Sequence, residues 1–311
     1  MSWGGEHGVR ISLSAVVMAV REGRLCVLTT EDADGGLALP SGPFDPAQDR
    51  TFERALRAFV TAQTGFGLGF VEQLYTFGDA GRGAPRATRG PDLRREISVG
   101  YLALTADAVD VAPPGARWTA VLDVFPWEDR RKNGPPAALV DAVAHWAGPD
   151  PRRLARGESL FALSPSARWD EGRVLERYEL LYEAGLVAEA LRDGMDAMPL
   201  PLGDRTMTSD HRRILATGLG RLRSKLRYRP VLFELMPPTF TLSTLQAAAE
   251  AVVGLSLHKQ NFRRGVERTG LVEATGLMST GTGGRPAELF RFTGTEAQDG
   301  QAPGLALPAL R

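Results

Sequence analysis

Apolar residues recur along this chain in two different periods, and the switch between them marks out its elements. Ile11–Val20 and Arg24–Thr30 are runs rich in β-branched residues, separated by Arg21-Glu22-Gly23, a break of hairpin type. Phe52, Leu56, Phe59 and Val60 recur at i, i+4, i+7 and i+8, which predicts a helix over about residues 51–62 with one buried stripe. Two further strands are expected at Phe70–Phe77 and Glu96–Leu104, the second alternating Ile97, Val99, Tyr101 and Ala103. Between them Gly78–Arg94 is rich in Gly, Pro and Arg and reads as a loop. Trp118–Phe125 is another strand candidate, after which the pattern turns helical. The clearest later helix is Asp170–Arg192, with apolar residues at 174, 175, 178, 181, 182, 186 and 187.

A Pro- and Gly-containing connector, Met198–Asp204, precedes a helix over Asp210–Tyr228 that places Leu215, Leu219, Leu222 and Leu226 on one stripe. Thr241 can cap a helix Leu242–Val253 whose inward positions are Leu242, Leu245, Ala249 and Val252 or Val253, and Gly254 fits its C-terminal cap. After a short turn, Ser256 or His258 opens a second helix through Arg268, with Phe262 and Val266 pointing inward. Leu271–Thr275 and Glu288–Phe292 then read as paired strands around a Gly-rich tip, Gly276–Pro286. Helix, helix, turn, helix, hairpin is the order of a winged helix-turn-helix. A helix fits the major groove, Arg and Gln can make bidentate contacts to base edges, and a wing can reach phosphates. The residues expected to face DNA are Thr241, Thr244, Lys259, Gln260, Asn261, Arg263, Arg264, Arg268 and, on the wing, Arg285. The competing reading makes the same arginines a solvated face of a protein-docking domain.

Length changes the picture first, since 311 residues suffice for two domains, each with its own core. No apolar run approaches the ~20 residues of a membrane span, and the first residues lack a basic, apolar signal, so a cytoplasmic protein is expected. With one cysteine, Cys26, and four scattered histidines at 7, 145, 211 and 258, neither a disulfide framework nor a metal or cofactor site is expected. The net charge is zero but uneven. Residues 205–292 carry 14 Lys/Arg against 6 Asp/Glu, whereas residues 1–204 carry 22 against 29. Such asymmetry suits a nucleic-acid-binding part joined to an acidic one.

The stretch Leu39–Phe66, LPSGPFDPAQDRTFERALRAFVTAQTGF, has the outline of a Nudix box, G-x5-E-x7-R-E-U-x-E-E-x-G-U, where U is bulky and apolar. Gly42 stands at its start and Thr64-Gly65-Phe66 at its end, with an interval two residues longer than the pattern. Where the pattern needs R-E-U-x-E-E the chain has Ala58, Phe59, Val60, Thr61, Ala62 and Gln63, and the first glutamate position holds Gln48 or Arg50. A hard divalent ion against a diphosphate requires clustered carboxylates, and no acid occurs between Arg54 and Gly65. No catalytic or metal-binding residue is therefore assigned. Gly65-Phe-Gly-Leu-Gly69 imitates a dinucleotide-binding turn, but it follows a helix rather than a strand.

Taken whole, the chain resembles the Nudix-related transcriptional regulators of bacterial NAD metabolism. The resemblance rests on Val71-Glu-Gln-Leu-Tyr-Thr-Phe-Gly-Asp79, Arg95-Glu-Ile-Ser-Val-Gly-Tyr101, Phe125-Pro-Trp-Glu128, Tyr228–Leu242, His258–Arg264 and Gly283–Phe292. It implies an α/β fold, a Nudix-like α/β/α sandwich with a C-terminal winged helix-turn-helix domain. It also implies a homodimeric repressor of NAD synthesis or salvage genes, bound to a double-stranded, partly palindromic DNA operator. The sandwich would sense a nucleotide such as ADP-ribose, NAD or ATP, with Phe77, Arg82, Arg95 and Glu96 at the pocket by matching position. The expected division is 1–204 for the sensing domain, with helical elaboration after about 130, 205–293 for the winged helix, and 294–311 as a disordered tail. Two alternatives stay open: an active nucleotide-diphosphate hydrolase with a fused domain, and a protein-docking adaptor.

Overall fold

The computed structural model describes residues 8–294 apart from 33, 70, 80–94, 107–114, 132–133, 201 and 280–285. Strand β1 (Val9–Arg21) turns at Glu22-Gly23 into β2 (Arg24–Glu31), pairing antiparallel with Met18 opposite Val27. Short strands β3 (Leu37–Ala38) and β4 (Ser41–Pro43) follow, then helix α1 (Phe52–Thr64), β5 (Val71–Phe77), β6 (Arg95–Leu104) and β7 (Arg117–Ala120). They form a seven-stranded sheet of order β3-β2-β1-β6-β5, with β4 on β1 and β7 on β2. The centre is a parallel pair, β1 with β6, running from Val9 opposite Arg95 to Met18 opposite Leu104.

Because successive side chains of β1 point to opposite faces, its two apolar sets feed two cores. Leu13, Ala15 and Val17 meet Ala55, Leu56 and Val60 of α1. Val16 and Met18 belong to the other core, with Ile214, Leu215, Leu219 and Leu222. These last four lie on helix α7 (His211–Lys225), which packs on β1, β5 and β6. The charge pattern groups this helix with the segment expected to bind DNA, whereas its packing lies against the sheet. Its leucine stripe is long enough to cover the bare face of the sheet, and burial decides its place.

Two expectations are corrected. Trp118–Phe125 is a strand only to Ala120. Val121 and Val124, buried at i and i+3, then form one turn, α2 (Val121–Val124), followed by a 3-10 turn Pro126–Glu128. The segment 170–192 is two helices, α5 (Val174–Glu183) and α6 (Ala188–Arg192), because Gly185 adopts φ 69° and its N–H closes on the Tyr182 carbonyl. Ahead of them, α3 (Ala137–Ala147) and α4 (Pro151–Phe161) complete a helical layer.

The last unit comprises a 3-10 turn Val231–Leu235, α8 (Leu242–Val253), α9 (Lys259–Thr269), β8 (Val272–Met278) and β9 (Glu288–Phe292). Phe240 adds a bridge to Phe290, giving the hairpin a third partner. Phe233 stacks on Phe292 with centroids 4.3 Å apart and so closes the sheet against the turn.

Candidate functional site

The degenerate box is fully employed in structure. Thr51 caps α1 by accepting the Arg54 N–H, and Gly65 ends it in the left-handed region. Gln63, at the last carboxylate position, donates from Nε2 to the Ser41 carbonyl at 2.7 Å and accepts the Ser41 N–H at 3.2 Å. Glu53 pairs with Arg57 at 2.8 Å on the solvent side. Asp49 accepts the Asp45 N–H, and Asp45 accepts from Ala47 N–H and Gln48 Nε2, so both acids are loop caps. Among the described residues no cluster of three or more His, Cys, Asp or Glu could hold a metal ion. These side chains do not fit the divalent ion that Nudix hydrolysis uses, and no step through one is derived.

Above β4 and beside the start of α7 lies an open cavity of about 1000 Å³. Arg10, Asp32, Phe77, Glu96, His211 and Ile214 contribute to its wall. Two of the four sequence-expected ligand residues, Phe77 and Glu96, are therefore brought together there. Phe77 is largely core: it is 4% exposed, edge-on to Tyr75, with the Arg213 guanidinium 5.5 Å from its ring. Arg95 is not in the wall; its guanidinium Nε donates to the Gly78 carbonyl at 2.8 Å, which straps the two strand ends together. Arg82 lies outside the described residues.

His211 was missed from the sequence because one histidine on an apolar helix carries no ligand spacing. Its Nδ1 accepts the Leu39 N–H at 3.1 Å. Burial pushes its pKa down to about 4, against a smaller upward pull from Asp32 and a downward push from Arg192, so the imidazole is neutral at ordinary pH.

On the winged helix, Thr241 caps α8 by accepting the Thr244 N–H at 3.0 Å, and their hydroxyls lie 2.9 Å apart. Glu250 accepts the Leu257 N–H at 2.8 Å and Gln246 Nε2 at 3.0 Å, while Gln246 also donates to the Leu257 carbonyl. The turn between α8 and α9 is thus locked from within. Phe262 and Val266 anchor α9, each 1% exposed. Lys259, Gln260, Asn261, Arg264 and Arg268 are exposed, and Arg263 is half-buried with Nη2 3.5 Å from Ser243 Oγ. The hairpin follows α9 as a wing, and its tip with Arg285 falls outside the described residues.

Residues 232–292 match the family of the NrtR DNA-binding winged helix domain. The C-terminal unit is similar to the NrtR winged helix. A curated relative, the ADPR responsive transcriptional repressor NtrR of Acinetobacter baylyi, is 43% identical over 83 residues. That match covers 27% of this chain and spans about a third of the relative, 33% of its length. The fold is shared more widely. The crystal structure of Shewanella oneidensis NrtR matches with a TM-score of 0.54 at 20% identity, over 92% of this chain and 95% of the other. A MutT/nudix family protein from Enterococcus faecalis matches with a TM-score of 0.53 at 13% identity, over 94% and 89%. The sandwich is therefore Nudix-like, followed by the winged helix.

The winged helix is joined to the sandwich through a buried charge cluster. Glu128, 0% exposed, receives Arg177 Nε at 2.6 Å and Nη2 at 2.9 Å, together with Arg223 Nη1 of α7. Burial alone would raise the Glu128 pKa, but the two guanidiniums outweigh it and hold the carboxyl below its ordinary range. Arg223 Nε continues to the Val252 carbonyl at 2.8 Å, and the Arg130 N–H donates to the Gly254 carbonyl at 2.8 Å. The 3-10 turn Pro126–Glu128, α5 and α7 thus meet at one carboxylate, and Arg223 ties it to the C-terminal end of α8.

This packing also changes the meaning of the charge asymmetry. Residues 205–231 hold eight Lys/Arg against one Asp, whereas the winged helix at 232–292 holds six against five. The excess belongs to α7 and its flanks, and it is matched by acids of the N-terminal part. Arg212 meets Glu189 and Asp204, Arg213 meets Asp79 and Glu179, Arg221 and Lys225 meet Glu72, and Arg227 meets Asp170 and Glu171. What remains for an external partner is the local face of α9.

Proposed function

We propose that this protein is a DNA-binding transcriptional regulator whose Nudix-like domain senses a nucleotide without hydrolysing it. The observation that carries the reading is α9, anchored by Phe262 and Val266 on an NrtR winged helix, with Lys259, Gln260, Asn261, Arg264 and Arg268 turned outward. A helix so anchored can enter the major groove, and these side chains include the pairings that read G and A edges. Thr241 and Thr244 at the start of α8, Arg263 and the wing residue Arg285 complete the proposed contact set. A structure of Shewanella oneidensis NrtR with a 27mer DNA shares this fold, with a TM-score of 0.52 at 20% identity, over 93% of this chain and 95% of the other.

The cavity beside α7 is the proposed effector site, with ADP-ribose, NAD or ATP as candidates and Phe77, Glu96, Arg82 and Arg95 at or around it. The responsiveness of the Acinetobacter relative to ADPR supports the first of these. The box, with no acid at its pattern's carboxylate positions, supports sensing over turnover, since those positions offer no acid cluster able to hold Mg2+. The regulated genes would be those of NAD synthesis or salvage, in the cytoplasm. No helix among the described residues is long and apolar enough to cross a membrane. A homodimer would place two recognition helices on a palindromic operator. The division into units falls after α7, near residue 230; the tail expected at 294–311 lies, beyond residue 294, outside the described residues.

Coupling requires that effector affinity differ between DNA-competent and incompetent arrangements; its sign, release or recruitment, is left to experiment. Selection of bound sequences from a random duplex library, run with and without ADP-ribose, NAD and ATP, tests DNA binding and effector together. A two-fold symmetric motif whose recovery changes with one nucleotide is expected. Return of no motif in any arm would favour the docking-adaptor reading, and Mg2+-dependent turnover of ADP-ribose would favour the hydrolase.

A further inference from the structure

Two polar groups in the cavity wall lack protein partners among the described residues, and they are complementary. The first belongs to His211. Because its Nδ1 accepts the Leu39 N–H, the proton of the neutral ring sits on Nε2, a donor for which no acceptor is found among those residues. The second belongs to Asp32. Its Oδ1 takes two backbone donors, Asp34 N–H at 3.0 Å and Gly36 N–H at 2.6 Å, whereas Oδ2 accepts no hydrogen bond from them. Both residues line the same cavity, and the Asp32 charge acts directly on the His211 ring.

One neutral donor beside one carboxylate acceptor is the arrangement that a hydroxyl group completes, because a hydroxyl both accepts and donates. A phosphate fits this wall poorly. Its described carboxylates are Glu31, Asp32, Asp79, Glu96 and Asp210, against the single guanidinium of Arg10. Arg117 answers Glu31 and Arg213 answers Asp79 and Asp210, but Asp32 and Glu96 are left facing the space. An anion placed there would meet like charge, whereas a sugar hydroxyl would be bound at both ends.

We infer that His211 and Asp32 form a hydroxyl-reading pair that recognises a ribosyl hydroxyl of the effector, making both specificity-determining residues of this site. The inference rests on the reading of the cavity as the effector site. Burial keeps the imidazole uncharged, so the donor reads a neutral group over the working pH range. The pair then discriminates ribosylated ligands from those without the hydroxyl.

Calorimetric titration of the full-length protein with ADP-ribose, and with ADP-ribose analogues each lacking one ribose hydroxyl, tests this. His211→Phe and Asp32→Asn are each expected to weaken ADP-ribose binding by about tenfold, the scale of one lost hydrogen bond to a partner left unpaired. One deoxy analogue is expected to lose a similar factor against the wild type and little more against either variant. Asp32 is half-buried at a turn and Asp32→Asn keeps the Oδ1 acceptor, so it reports even where His211→Phe fails to fold. ADP-ribose affinity within about twofold of wild type for Asp32→Asn, with every deoxy analogue bound as well as the parent, would overturn the pair while leaving the regulator reading intact. If the wild type binds no ADP-ribose, NAD or ATP, the effector reading itself falls, and the pair with it.

Discussion

Glu128 shows how much one buried residue can carry. Among the described residues its carboxylate alone pairs with both Arg177 and Arg223, and removing it leaves two guanidiniums buried with only carbonyls as hydrogen-bond partners. Breaking a buried pair in this way typically costs about 3–5 kcal/mol. Glu128→Ala should therefore lower the midpoint of urea denaturation markedly; a shift within error would show that the cluster is solvated in solution. His211 makes a separate, pH-dependent contribution. Its folded pKa of about 4 lies below the ordinary 6.5, so the unfolded chain binds the extra proton between those values. Stability from this residue is full above pH 6.5 and is lost as pH falls toward 4, by up to about 3 kcal/mol. Denaturation measured at pH 7, 5.5 and 4 should show that decline, and His211→Gln should flatten it. Glu128 acts in the same direction but in a lower window, below its ordinary 4.5, because its folded pKa is depressed. On the DNA face, Arg264→Ala should weaken binding to a cognate site by about 1–3 kcal/mol if it reads a base. A mobility-shift titration with unchanged affinity would remove it from the contact set.

At the scale of elements, α7 joins the two proposed activities. Its first residue, His211, lines the cavity, and Arg223 in its last turn reaches the end of α8. A rigid helix with one end in each region is a physical route by which effector occupancy can bias the placement of the winged helix. The receiving end is tight: Gly254 sits at φ 71°, and a Cβ there would lie 2.3 Å from the Glu128 carbonyl oxygen. Gly254→Ala should cost more than the ~1–2 kcal/mol of a left-handed non-glycine residue, because the backbone of the junction must also move. Thermal denaturation checks the loss, and effector-dependent DNA binding checks whether coupling suffers with it. Full stability in that variant would mean that the junction opens freely.

Across the whole molecule, a continuous hydrophobic cluster runs from Val16 and Met18 in the sheet, through Leu215 and Leu219 of α7, to Leu245, Phe262 and Leu271 of the winged helix. Units that share a core unfold together. A single calorimetric transition, with calorimetric and van't Hoff enthalpies in agreement, is expected; two resolved transitions would show that the winged helix is energetically independent. The charge asymmetry belongs to this scale too. Most of the basic excess of α7 is answered by acids from the first 204 residues, so it contributes to the internal fit of the molecule. Among the described residues the proposed DNA-facing charge lies on α9, whose four Lys/Arg stand against one Glu.

The sequence by itself determined what local pattern and residue chemistry can encode. It determined the two-face burial of β1, the stripe of α1, the caps at Thr241 and Gly254 and the anchoring of α9 by Phe262 and Val266. It also determined the absence of acids from the carboxylate positions of the box, because that is a matter of residue type at a fixed spacing. The tertiary structure alone decided where α7 belongs. A leucine stripe states that a helix is buried, but the partner is chosen by whichever apolar surface is left uncovered, here the second face of the sheet. The same holds for His211 and Asp32. They lie 179 residues apart in the chain, and a site made by such distant residues leaves no periodicity or spacing to read. The charge excess likewise has its meaning only once the acids that neutralise it, folded from far upstream, stand beside it.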